Sequence, residues 1–150
     1  AENTDDPVRL AEIVNALNEI HKTITKVVLP LHPRTRDAIA NVGLKLDVHI
    51  IEPVGYLEMI WLLKRWELVL TDSGGLQKEA FFFSKACVTM RDQTEWIELV
   101  ELGANELAGA NKDKIISATF RHIGRFIEDT NMLYGGGKAA SRIAKRLNKG

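Results

Sequence analysis

The stretch Leu68-Val-Leu-Thr-Asp-Ser-Gly-Gly-Leu-Gln-Lys-Glu-Ala-Phe-Phe-Phe83 decides the fold. Leu68 to Leu70 is a short apolar run and reads as a strand. Ser73-Gly74-Gly75 reads as a turn, and Leu76 to Phe83 as a helix. A strand that runs through a glycine turn straight into a helix is the front half of a βαβ unit.

The same order recurs on both sides. Upstream, the sequence predicts a helix from Pro7, capped by the preceding Asp, with Leu10, Ile13, Val14, Leu17 and Ile20 at helical spacing. A strand within Lys26 to Leu31, a helix over Thr35 to Val42, a strand at Val48 to Ile51 and a helix over Tyr56 to Arg65 follow. Downstream come a strand at Cys87 to Met90, a helix over Thr94 to Leu102 and a strand at Glu106 to Gly109. Helices over Lys112 to Glu128 and Lys138 to Leu147 close the chain. Short strands alternating with helices predict an α/β fold, a Rossmann-like three-layer sandwich built on a parallel sheet. The first element is a helix, whereas a doubly wound domain opens with a central strand. A domain lacking its first strand is therefore expected, and its bare edge predicts self-association of the isolated chain. The start at Ala1 rather than Met predicts processing or excision from a longer chain.

Composition narrows the function. The 150 residues carry 20 Lys+Arg and 20 Asp+Glu, so no basic face favours nucleic acid. No apolar run reaches the roughly 18 residues of a membrane helix. The single cysteine, Cys87, excludes a disulfide framework and points to the reducing cytoplasm. His21, His49 and His122 have no ligand-spaced partners, so neither a metal nor another cofactor is expected. Walker, Gly-x-Gly-x-x-Gly and Gly-x-Ser-x-Gly motifs are absent from the sequence. Met59, Trp61 and Phe81 to Phe83 read as packing residues, and Cys87 as an inert core thiol.

Ligands of open α/β sheets bind beyond the carboxyl ends of the strands. Three segments fall there. In the first, the N–H groups around Ser73, Gly74 and Gly75 can meet an anion, and Glu79, about one turn on, suits a pair of sugar hydroxyls. The competing reading is a plain glycine turn whose Glu is favoured by the helix dipole. In the second, His32 and Arg34 either face an anionic ligand or form a solvated turn. In the third, Arg91, Glu95 and Trp96 line a cleft, or else Thr94 caps a helix and Trp96 is core.

Five segments occur in a telling order: Leu29-Pro-Leu-His-Pro-Arg-Thr-Arg36, Glu52-Pro-Val-Gly-Tyr-Leu-Glu58, Leu70-Thr-Asp-Ser-Gly-Gly-Leu-Gln-Lys-Glu-Ala80, Val88-Thr-Met-Arg-Asp-Gln-Thr-Glu95 and Tyr134-Gly-Gly-Gly-Lys-Ala139. Together they resemble the C-terminal half of the non-hydrolysing UDP-N-acetylglucosamine 2-epimerases. The resemblance implies one half of a glycosyltransferase-B architecture, two Rossmann-like domains with UDP in the cleft between them. Ser73, Gly74 and Gly75 would hold the diphosphate and Glu79 the ribose. Pro53 to Met59 would border the uracil, with Val54 acting through its main chain, and His32 would lie near the phosphates.

The resemblance implies an isomerase that inverts C2 of a UDP-sugar by eliminating UDP and returning it to the opposite face. It implies no cofactor and a homodimeric full-length enzyme of cell-surface polysaccharide biosynthesis. The acid/base carboxylates would come from an N-terminal domain, so no catalytic residue is assigned here and the chain alone is expected to be inactive. Trp96 replaces an Arg of some members, Met59 an aromatic, Ser84 and Ala86 a Gly and a Pro, and Gly136 an Asp or Asn. The wording of Gln77 to Phe83 and of Thr94 to Trp96 is similar to members acting on 2,3-diacetamido uronates. A non-catalytic nucleotide-sugar binding module and a glycosyltransferase-B transferase fragment share the same fold expectation.

Overall fold

A computed structural model describes residues 2–129, 133 and 134. The expected Lys138 to Leu147 helix and Gly136 lie outside them. The elements run α1 (Glu2–Asp5), α2 (Pro7–Thr23), β1 (Val28–Pro30), α3 (Pro33–Asn41), β2 (His49–Ile51), α4 (Tyr56–Leu63) and β3 (Leu68–Thr71). They continue with α5 (Gly74–Phe82), β4 (Ala86–Thr89), α6 (Ile97–Glu101), β5 (Asn105–Leu107) and α7 (Lys112–His122). Among the described residues the five strands pair only in parallel, in two sets, β1 with β2 and β3-β4-β5, and one isolated antiparallel bridge joins Lys85 to Phe126.

Strand alternation sorts the core into layers. Val69 and Cys87 point to one face, where they pack with Leu63 of α4 and Ala80 of α5. Ala86 and Val88 point to the other, against Ile13 and Leu17 of α2 and Ile115 and Ala118 of α7. Helices thus cover both faces of the sheet, as the alternation of strand and helix predicted. Cys87 is buried and desolvation pushes its thiol up to about 12, a packing thiol rather than a nucleophile.

The caps explain where α2 starts. Asp6 accepts hydrogen bonds from the Val8 and Arg9 N–H groups at 2.9 and 3.2 Å, with Pro7 in the first turn. Other boundaries move. Gly74 and Gly75 are not a separate turn but the opening of α5, because Ser73 caps the helix immediately before them. The helix expected over Lys112 to Glu128 stops at His122, where Gly124 turns the chain at φ +74°. The helix expected from Thr94 starts only at Ile97. The Thr94 hydroxyl is instead committed to Gln77 and to the Trp96 N–H. Trp61 is 55% exposed, with Arg65 over its ring rather than in the core, and Phe82 is 56% exposed although its ring meets Phe81 and Tyr134, while Phe81 is buried.

Candidate functional site

The site assembles at the carboxyl ends of β3 and β4. Ser73, extended at φ −89° and ψ 125°, caps α5, and its hydroxyl accepts from the Leu76 N–H at 3.4 Å. The first helical bond runs from the Gln77 N–H to the Ser73 carbonyl. The Gly74 and Gly75 N–H groups, which precede it, therefore have no partner among the described residues. Two free donors at a helix N-terminus, beside a hydroxyl, are an arrangement chemically suited to an anion. A Cβ at Gly75 would meet nothing closer than Ser73 Oγ at 3.9 Å, so this part of the main chain is open to a ligand.

The loop after β4 packs against the same turn. The Trp96 indole N–H donates to the Gly74 carbonyl at 2.8 Å. The Glu95 carboxylate lies against Gly74, where any Cβ would collide with it, and pairs with Arg91 at 3.1 Å. The ring of Trp96 meets Tyr134 edge-on at 6.5 Å, and the Lys78 ammonium sits 4.6 Å from one ring and 4.3 Å from the other. The Tyr134 hydroxyl donates to Glu98. That bond holds the Glu98 carboxyl below the usual range, while burial and the same bond raise the Tyr134 phenol. Arg91, Glu95 and Trp96 are thus brought to the glycine turn, Trp96 as a donor to the main chain as well as a packed ring.

Beneath them lies a polar network that the sequence reading did not single out. Buried Gln77 accepts through Oε1 from Thr94 Oγ1 at 2.6 Å and from Asn105 Nδ2 at 3.0 Å, and Thr89 donates to Asn105 at 2.6 Å. These bonds lock α5, the β4–α6 loop and β5 into one unit. The available signal was a glutamine among the apolar residues of α5, Leu76, Ala80 and Phe81.

The remaining residues are placed around this centre. Glu79 is half-buried on α5, and its carboxylate makes no hydrogen bond or ion pair among the described residues. His32 caps α3 on the other strand pair, its Nδ1 accepting from the Arg34 N–H at 3.3 Å, and remains exposed. Arg34 pairs with Asp5 of α1 at 3.1 Å rather than reaching the glycine turn. The bridge between the two halves is α1, where Asn3 donates to the Met90 carbonyl at 2.8 Å and to Asp72 at 3.4 Å. Val54 and Met59 line different concavities. Val54 borders one with Leu57 and Trp61, and Met59 borders a groove between β1 and β3. Among the described residues no group of three or more His, Cys, Asp or Glu side chains could hold a metal ion.

The fold is a Rossmann-like α/β domain in which a strand-to-helix turn leaves main-chain N–H groups free. A family model described as UDP-N-acetylglucosamine 2-epimerase matches residues 1–148, and the chain belongs to that family. It is similar to the UDP-2,3-diacetamido-2,3-dideoxy-D-glucuronate 2-epimerase of Pseudomonas aeruginosa, 66% identical over 99% of this chain and 42% of that protein. The structure of UDP-GlcNAc 2-epimerase from Methanocaldococcus jannaschii superposes with TM-score 0.92 at 41% identity, covering 100% of this chain and 44% of that one. The same enzyme in complex with UDP-GlcNAc and UDP gives TM-score 0.84, with 43% of its chain covered. The chain therefore spans about two fifths of the length of these relatives. Their fold is the glycosyltransferase-B type that the five segments implied.

Proposed function

We propose that this chain is the UDP-binding half of a UDP-sugar 2-epimerase. The observation that carries the reading is the Ser73-Gly74-Gly75 opening of α5, with its unpartnered N–H groups directly beyond β3. The diphosphate takes those donors and the Ser73 hydroxyl, and Glu79, unengaged and one turn on, accepts from the ribose hydroxyls. His32 flanks the phosphates from the end of β1, and the Val54 main chain, just before α4, borders the uracil, whereas Met59 faces the groove between β1 and β3 and packs on the core. Arg91, held by Glu95, and the solvated Arg34 line the cleft.

Epimerisation at C2 requires a proton acceptor and donor at that carbon, and stabilisation of negative charge on departing UDP. The α5 N-terminus supplies the second. Carboxylates of the N-terminal domain supply the first, so residues 1–150 alone bind without turning over. The substrate is a UDP-2,3-diacetamido uronate. This is supported by 66% identity to a relative named for that sugar, against 41% to the UDP-GlcNAc enzyme. We place the full-length enzyme in the cytoplasm as a homodimer acting in cell-surface polysaccharide biosynthesis.

Calorimetric titration of the full-length protein with UDP tests the reading, with Ser73→Ala and Glu79→Ala run beside it. Each loses hydrogen bonds to a charged or polyhydroxyl ligand worth about 1–3 kcal/mol, so affinity falls roughly 5- to 150-fold. Unchanged affinity in both variants would remove the assignment.

A further inference from the structure

Two peptide units carry the free N–H groups at the opening of α5, and each unit is held by its carbonyl. A peptide unit is planar and trans, so the carbonyl of one residue and the N–H of the next point in opposite directions. Fixing the Ser73 carbonyl therefore fixes the Gly74 N–H, and fixing the Gly74 carbonyl fixes the Gly75 N–H. The Ser73 carbonyl accepts from the Gln77 N–H at 3.2 Å, and the Gly74 carbonyl from the Trp96 indole N–H at 2.8 Å. Consecutive glycines need such support, because without a Cβ their backbone has the widest choice of conformation. One hydroxyl joins the two supports. Thr94 Oγ1 donates to Gln77 Oε1 at 2.6 Å and accepts from the Trp96 N–H at 3.1 Å. The bonds close a circuit from Ser73 through Gln77, Thr94 and Trp96 back to Gly74. Its inner end is anchored on the sheet, where Gln77 is fully buried, its Oε1 also accepts from Asn105 of β5, and Asn105 accepts from Thr89 of β4.

We propose that Thr94 is a positioning residue for the diphosphate, its hydroxyl holding the Ser73–Gly74 and Gly74–Gly75 peptide units so that both N–H groups stay aimed at one anion. The inference rests on the diphosphate site proposed above, and it gives the loop after β4 a part in that site without contact to the ligand. Two effects of the circuit bear on charge. A carbonyl that accepts a hydrogen bond polarises its peptide unit and makes the N–H at the other end a stronger donor. Donors fixed before the ligand arrives need no reorganisation as charge builds on a departing group, which is the condition for electrostatic stabilisation. Loss of the hydroxyl would free the Gln77 amide from the loop and the Trp96 N–H from its acceptor, and the indole bond to Gly74 would loosen with them. The consequence falls on ligands held through phosphate. It spares those held through base and ribose, because Val54 and Glu79 lie outside the circuit.

Titration of the full-length protein with UDP and, in parallel, with uridine separates positioning from general damage. Thr94→Val keeps the shape of the side chain and removes the hydroxyl, whereas Thr94→Ser keeps the hydroxyl. Thr94→Val is expected to bind UDP about three- to tenfold more weakly, with uridine affinity unchanged and Thr94→Ser behaving as native protein. Native UDP affinity in Thr94→Val, or an equal loss for UDP and uridine, would overturn the proposal. Ser73→Ala keeps the two readings apart. If that variant weakens UDP binding and Thr94→Val does not, the diphosphate site stands and the positioning role falls. If native protein holds UDP no better than uridine, both fall. Trp96→Phe opens the same circuit at its other end and carries the test should Thr94→Val fail to fold. The same UDP-selective loss is expected there, and an unchanged UDP affinity in that variant contradicts the proposal.

Discussion

Trp96→Phe isolates one hydrogen bond at the site. The substitution keeps an aromatic ring against Tyr134 and Lys78 but removes the indole N–H that donates to the Gly74 carbonyl at 2.8 Å. Loss of the bond costs about 1 kcal/mol net. The smaller ring forfeits on the order of 40 Å² of contact, another ~1 kcal/mol at about 25 cal/mol per Å². The sum, about 2 kcal/mol, lowers the thermal midpoint by roughly 4–8 °C in a domain of this size. Because the bond restrains the first residue of α5, UDP affinity falls as well, by about three- to tenfold. Differential scanning calorimetry and UDP titration measure both. Equal melting and equal affinity in native protein and variant would refute the role given to the indole.

Three further outcomes follow from the structure. Burial opposes ionisation of Glu106, but bonds from Arg121 and from the buried His122 (Nε2 to Oε2, 2.6 Å) outweigh it and hold its carboxyl below the usual carboxylate range. Its stabilising contribution is therefore complete above pH ~5 and fades as pH falls through the lowered value. Glu106→Gln should destabilise at pH 7, and the difference should shrink toward pH 3; a pH-independent difference in urea midpoint contradicts this. Cys87, its thiol at about 12, should resist a thiol reagent at pH 8 in native protein and react only after denaturation. Rapid native labelling would place it outside the core. Ser84 holds φ +58°, a left-handed conformation costing a non-glycine residue about 1–2 kcal/mol. Ser84→Gly relieves that at an entropic cost of roughly 0.4–1 kcal/mol, so a net gain of up to about 1.6 kcal/mol is expected in chemical denaturation. A loss there would show that the serine side chain matters more than its backbone.

The strands and most helices were legible because their signals are local. Val69 and Cys87 sit in short apolar runs, and Asp6-Pro7 announces α2. Ser73-Gly74-Gly75 was legible as a break after β3, though not as the cap and first turn of a helix. What escaped depends on contacts distant in sequence. Trp61 lies in an apolar run and remains exposed, because α4 buries Leu63 on its other side. Gln77 looks like a surface residue by type, yet Thr94 and Asn105 supply its partners from 17 and 28 residues away. α7 ends inside the span expected to be helical, where Gly124 takes φ +74° just after His122. The split between β1 and β3 was anticipated only as a strand absent from the start of the pattern.

The function proposed for the full-length protein is C2 inversion of a UDP-2,3-diacetamido uronate. Proton NMR of the full-length enzyme in D2O with that sugar nucleotide, and with UDP-GlcNAc in parallel, tests it most directly. The account predicts deuterium at C2 of both epimers of the uronate, appearing faster than in UDP-GlcNAc and abolished by Ser73→Ala with Glu79→Ala. Retention of the C2 proton in both sugars over many enzyme equivalents would contradict it.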